Sequence, residues 1–348
     1  MIKSIQALRA FSALFVVFYH VFAVQDKFFT SIDFPEIFKL GKSGVDMFFV
    51  ISGFIMVLVT KDTKPGISSA NKFLIKRFVR IYPIYWFYSL LVLAVYLLYP
   101  SLVNSSQDGQ VNLIESFLLF PQDVLPLLMV GWTLTYEVYF YILFFFCLLF
   151  FKWHYFPIVF LFLGFLISIF NGQYTSPYLD LVFNALVLEF ILGALLAYVY
   201  ICVGFSKINI VFLSIFSISA LFISFEYVYL QGLIDNISSI DRLFYFGVPC
   251  ALILLSCVLI EKNFNVLIPD FIVKLGDSSY SLYLSHILVI NAYCLLWGIV
   301  FPNGFGFEFI KLITMLMAVI IYSYFSFVFI ERKIAFMIKD AKQTNRCT

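Results

Sequence analysis

The chain has 348 residues, 63% of them hydrophobic and 12% charged, with a formal net charge of +2. A soluble domain carries about 25% charged residues. A chain with 46 Phe and 22 Tyr and a mean hydropathy of +1.01 has more apolar surface than a fold in water buries, so a soluble globule is excluded and a polytopic membrane protein is expected.

A helix needs about 20 apolar residues to cross the hydrocarbon layer, and backbone groups left unpaired in lipid are prohibitive. Ten runs meet that length: 4–24, 44–60, 82–99, 132–151, 155–170, 181–202, 208–225, 243–260, 279–300 and 309–330. The first run is like a signal sequence, but no small-x-small site precedes Gln25 and Asp26, so it is expected to remain as an uncleaved span. The expected architecture is all-α: about ten transmembrane helices, a membrane domain over 1–335 and a tail over 336–348.

Basic residues in short loops stay cytoplasmic. With the N-terminus inside, 16 of the 22 Lys and Arg fall on cytoplasmic segments, including Lys3, the Lys61–Arg80 stretch, Lys274 and Arg332 to Arg346. Lys27, Lys39, Lys42, Arg242 and Lys311 fall outside, and Arg9 lies within the first span. The segment 100–131 holds Asp108, Glu115 and Asp123 but no Lys or Arg. Both termini are therefore expected to be cytoplasmic. The basic residues are scattered between apolar runs, so no nucleic-acid partner is expected. The six cysteines, Cys347 among them, form no CxxC pair and predict neither disulfides nor a metal site. There is no Walker or Rossmann glycine pattern, which argues against ATP-driven transport by this chain alone.

Ionisable groups inside spans mark function by default. Arg9 and His20 are 11 residues apart, about three turns plus 20°, so they share one stripe of the first helix and lie about 16 Å apart along it. Read blandly, Arg9 snorkels to the interface and His20 bonds to a nearby carbonyl. Asp46, near the start of the second span, is expected at a depth like that of His20, either orienting the imidazole or capping the helix dipole. Ser52 and Gly53 read as packing residues. Glu137 sits in the first turns of the fourth span and needs a partner or a water-filled cavity. Glu189 and His286, deeper in their spans, read as structural hydrogen-bonding groups. Arg77 and Arg80 share a face of a short amphipathic element. They suit either a phosphate clamp or contact with anionic lipid.

The segments LRAFSALFVVFYH, GVDMFFVISGF, KRFVRIYPIYW, WTLTYEVYFY, GDSSYSLYLSH and FIERK occur in this order along almost the whole chain. Together they resemble the membrane acyltransferase-3 family, integral-membrane acetyltransferases of bacterial surface sugars, in its stand-alone type. Lys333 departs from that pattern, where proline is expected. The resemblance implies acetyl-CoA as donor, no metal, and an inner-membrane location. It implies a glycan or lipid-linked oligosaccharide as acceptor, with membrane lipid around the bundle. His20, with Asp46 and Glu137, is then the catalytic set. Arg9, Ser52, Arg77, Arg80, Tyr280 and His286 belong to the donor side. His20 acts as general base or carries the acetyl group itself, and Trp132, Tyr136 or Tyr139 offers a sugar a stacking face. The competing class is a proton-coupled transporter or polysaccharide flippase, which buried Arg, His, Asp and Glu also suit.

Overall fold

The computed structural model describes residues 2–24, 28–29, 35–104, 107, 109–172, 174–234, 236–301 and 308–337. Gln25, Asp26, Lys27, Asp108, Lys339, Lys342, Arg346, Cys347 and most of the tail over 336–348 lie outside the described residues. Those described are predominantly helical and contain no strand. Among the described residues ten helices are long and apolar enough to cross a membrane, as the apolar runs predict. Their main α-helical segments, which in five of them are extended by adjoining helical turns, are α1 (Lys3–Ala23), α2 (Ser43–Thr60), α3 (Ile67–Leu98), α4 (Gly131–Phe150), α5 (Phe156–Phe170), α6 (Val187–Cys202), α7 (Lys207–Leu230), α8 (Val248–Phe264), α9 (Ser279–Val300) and α10 (Glu308–Ser326).

The helices do not all begin at one level. A 3-10 helix over Glu36–Lys42 runs back along α1 before α2 starts. A Cβ on Gly44 would lie 2.4 Å from the Ser12 carbonyl oxygen, so α2 begins beside the middle of α1. Short helices over Pro177–Val182 and Ser239–Arg242 lead in the same way into α6 and into a π turn, Leu243–Gly247, that continues as α8.

The basic element and the third span form one 32-residue helix, α3, rather than two pieces. Near its middle, the hydroxyls of Tyr82 and Tyr85 and the indole N–H of Trp86 donate to the carbonyls of Leu118, Ser116 and Phe117. These three bonds hold the helix Leu113–Leu118 about 20 Å short of the α3 C-terminus, at 1.5 Å per residue. The described residues between α3 and α4 therefore fold back along the bundle before α4 begins.

The tightest crossing is between α2 and α6. A Cβ on Gly53 would meet the Phe190 carbonyl oxygen at 1.9 Å, and one on Gly193 would meet that of Val50 at 1.9 Å. Small residues let helix backbones touch where lipid supplies no hydrophobic drive, which bears out the packing expected of Gly53. This contact holds Ser52, one residue away, against α4. Aromatic side chains fill the space around it, with Phe190 stacked between Phe49 and Phe140.

Candidate functional site

A cavity of about 360 Å³ opens between α1, α2, α3, α4 and α9. At one end lie Ile2 (the residue before α1), Gln6 and Arg9 of α1, Val59 of α2, and Arg77 and Arg80 of α3; Val45, Phe48, Thr133, Leu134 and Tyr283 line the other. The end carrying the three arginines is called the basic end below.

Arg9 is buried, and its Nη1 donates to Gln6 Oε1 over 3.2 Å. The Arg77 guanidinium lies over the rings of Phe73 and Tyr141, at 5.4 and 5.9 Å. Its buried Nε has no hydrogen-bond partner among the described residues. A buried, unpaired charge-assisted donor is costly unless an acceptor arrives. Arg80, one turn on, is exposed at the same end. The expected pairing of these two arginines on one face is therefore present, and Arg9 joins them from another helix.

Glu137 faces the middle of the cavity. Its Oε1 accepts from Ser52 Oγ over 3.0 Å and from the hydroxyl of Tyr141, four residues further along the same helix. Among the described residues its hydrogen bonds come from hydroxyls, and no arginine forms a salt bridge with it although Arg9 and Arg77 line the same cavity. Tyr280, also lining the cavity, donates its hydroxyl to the Ile81 carbonyl over 2.9 Å and so ties α9 to α3.

Past Tyr283 lies a histidine pair. The Tyr283 ring is 5.9 Å from that of His286 and 5.8 Å from that of Phe48, and its hydroxyl bonds that of Thr133 at 2.7 Å. His286 is fully buried, and its Nδ1 lies 2.7 Å from the Tyr283 carbonyl. A carbonyl only accepts, so Nδ1 carries the hydrogen and the neutral ring presents a lone pair at Nε2. That Nε2 is 3.2 Å from His20 Nδ1, which is itself 2.8 Å from the Val16 carbonyl. His20 Nδ1–H thus has two acceptors, and the lone pair of the His20 ring is left at Nε2.

Asp46 does not join this group. Gly44 rests on Ser12, eight residues before His20, so the Asp46 turn lies about 12 Å further along α1 from the histidine at 1.5 Å per residue. The equal depth expected from the sequence fails because the 3-10 helix carries the chain back along α1 before α2 begins. The fully buried Asp46 carboxylate is instead gripped by Arg242, with Nε to Oδ1 at 2.8 Å and Nη2 to Oδ2 at 3.1 Å. Arg242 also donates to the Lys42 carbonyl at 3.3 Å and lies 5.9 Å from the Trp132 ring centre. Glu189 is buried nearby against Gly247 of the π turn.

The partners that sequence reasoning missed are Arg242, Tyr141, Thr133 and Tyr283. Tyr141 carried a signal, being four residues from Glu137 and so on the same helix face; so did Tyr283, three residues before His286. Arg242 carried none, because it reads as a loop cation.

A membrane bundle with an apolar-walled cavity that carries three arginines and a glutamate is the class that fold and site define. The chain belongs to the family described as the acyltransferase domain, which matches residues 2–331. It is similar to the exopolysaccharide production protein ExoZ of Rhizobium meliloti (strain 1021), with 35% identity over 111 residues, 31% of this chain and 34% of that protein. The chain thus spans about a third of the length of the curated relative it matches. No solved structure matches it.

Proposed function

We propose that this protein is an O-acyltransferase of the bacterial inner membrane that moves an acetyl group from cytoplasmic acetyl-CoA to a hydroxyl of a surface polysaccharide or its lipid-linked precursor. The observation that carries this reading is one continuous cavity. It has three arginines at its basic end and, at the other, Tyr283, whose ring packs on His286; His286 Nε2 in turn engages His20 Nδ1 and leaves the lone pair of the His20 ring at its Nε2. An exopolysaccharide is the favoured acceptor, by the name of the relative.

Arg9, Arg77 and Arg80 bind the phosphates of the donor, with the unpaired Arg77 Nε supplying a donor that no protein group uses. The apolar wall of Ile5, Val45, Phe48 and Ile55 suits the thin pantetheine arm. Acetyl-CoA supplies an activated thioester carbonyl. His20 Nε2 takes the proton of the acceptor hydroxyl as that oxygen bonds to the carbonyl carbon. The carbon–sulfur bond breaks, and the leaving thiolate recovers the proton as free CoA. His286 holds the ring with Nδ1–H engaged, so the reacting nitrogen is always the same one. Glu137, held by the hydroxyls of Ser52 and Tyr141, polarises the cavity beside the thioester. With the orientation that the basic residues favour, the donor enters from the cytoplasm and the glycan from the other side.

Mass spectrometry of surface glycan from cells with and without the gene tests this. Loss of an acetyl group from one sugar position in the deletion strain is the expected result. Unchanged acylation, or solute flux through the purified protein in liposomes with no acetyl-CoA consumed, overturns it.

A further inference from the structure

A second cavity, of about 280 Å³, lies on the other side of the first turns of α4, under the segment that folds back along the bundle. None of its lining residues is shared with the arginine-lined cavity. We propose that this cavity is a subsite for one neutral pyranose of a polysaccharide acceptor, a unit distant from the one acetylated. The inference rests on the acyltransferase reading above for the identity of its ligand.

Three features support it. The first is an aromatic corner. The rings of Trp132 and Tyr136 meet edge to face at 6.0 Å and 89°, and both line the cavity. Arg242 covers the Trp132 ring and is itself held by Asp46, so the indole is fixed before any ligand arrives. A rigid aromatic face with polar groups at its edge is what the C–H face and rim hydroxyls of a sugar require.

The second is an orphaned donor. Gln122 lines the cavity and accepts at Oε1 from Ser116 Oγ over 3.5 Å, while its buried amide nitrogen has no partner among the described residues. Ser116 in turn is fixed by the Leu127 amide, which donates to Ser116 Oγ over 3.0 Å. A buried N–H₂ without an acceptor is a net cost, removed when a ligand oxygen takes its place.

The third is sign and size. Asp123 and Asp180 line the cavity with Gln107, and no Lys or Arg does. Carboxylates accept from sugar hydroxyls and repel anionic units, so the chemistry selects a neutral sugar. The volume lies at the small end of ligand pockets and suits one ring rather than an oligosaccharide.

The position fits a polymer. Trp132 is linked through Arg242 to the Lys42 carbonyl, and the Lys42 ammonium lies 5.3 Å from the ring centre of Tyr19, the neighbour of His20. These contacts place the cavity and the histidine pair on either side of Lys42, the arrangement a glycan of several units would need to reach both.

The full-length protein in liposomes is assayed with acetyl-CoA and two acceptors. One is polysaccharide from the gene-deletion strain; the other is its single repeat unit released by hydrolysis. Trp132→Ala is expected to raise KM for the polymer roughly tenfold, and Gln122→Ala about fivefold. KM for the single unit and for acetyl-CoA should stay within twofold. Trp132→Phe, which keeps an aromatic face, should recover most of the polymer KM and serves if the alanine variant fails to fold. Equal KM for polymer in all variants, or a rise shared by the single unit, overturns the subsite while transfer by the wild type leaves the enzymatic reading standing. Conversely, if the wild type transfers nothing, tryptophan quenching by a neutral polymer, lost in Trp132→Ala and weaker with an anionic one, sustains the subsite without the enzyme. No quenching overturns it.

Discussion

Asp46 and Glu137 are both carboxylates near the starts of spanning helices, yet their surroundings differ. Asp46 is fully buried and gripped by the Nε and Nη2 of Arg242. Glu137 is partly exposed to a cavity and held by the hydroxyls of Ser52 and Tyr141. A carboxylate neutralised by a cation in a closed layer is a clip between helices: removing either partner strands a charge in low dielectric. A carboxylate bonded by hydroxyls and lining a cavity keeps its access, so it faces whatever enters there. The partner, rather than the residue type or its position along the helix, separates structure from chemistry.

The largest effect expected lies beyond both carboxylates. His20→Ala removes the group proposed to take the acceptor proton and should lower glycan acetylation by about a thousandfold with normal folding. A His20→Ala protein that keeps a tenth of wild-type turnover would move the reaction out of the histidine end.

The Asp46 clip is tested through stability. Asp46→Ala leaves Arg242 buried without its counter-charge and should cost roughly 3–5 kcal/mol, visible as a lower Tm and aggregation after detergent extraction. The pair Asp46→Leu with Arg242→Met should restore most of that loss, because a matched apolar pair leaves no charge stranded. Normal stability of Asp46→Ala with lost turnover would place Asp46 in the chemistry and erase the contrast.

Glu137→Gln should behave in the opposite way. It keeps shape and hydrogen-bonding capacity, so Tm should stay where it is, while kcat falls about ten- to a hundredfold. A stability loss with unchanged kcat would make Glu137 a second clip.

The smallest effect concerns binding alone. Arg77→Ala with Arg80→Ala should raise KM for acetyl-CoA about tenfold, the worth of one charge-assisted contact or two, and leave KM for the acceptor unchanged. Equal rises in both would remove the phosphate role from the basic end.

Much of this was legible in the residues taken alone. Ten apolar runs define ten spans, because lipid requires each helix to satisfy its own backbone whatever its neighbours do. Arg9, His20 and Glu137 stood out for the same reason, a polar side chain in such a run being an exception at sight; Arg77 and Arg80 stood out as two cations three residues apart on one face of a basic element. Which of these groups meet was decided only in three dimensions. His20 finds His286 across 266 residues, and Asp46 finds Arg242 across 196. Those pairings depend on how far each helix is shifted along its neighbour. The shift is set by backbone contacts at Gly44, Gly53 and Gly193, and by the 3-10 helix that lowers α2 beside α1. Hydrophobicity determines that a segment lies in the membrane, but it is nearly indifferent to sliding along the bilayer normal by a turn or two. The steric fit of helix against helix selects the register, and with it the carboxylate that is locked and the one left facing the cavity.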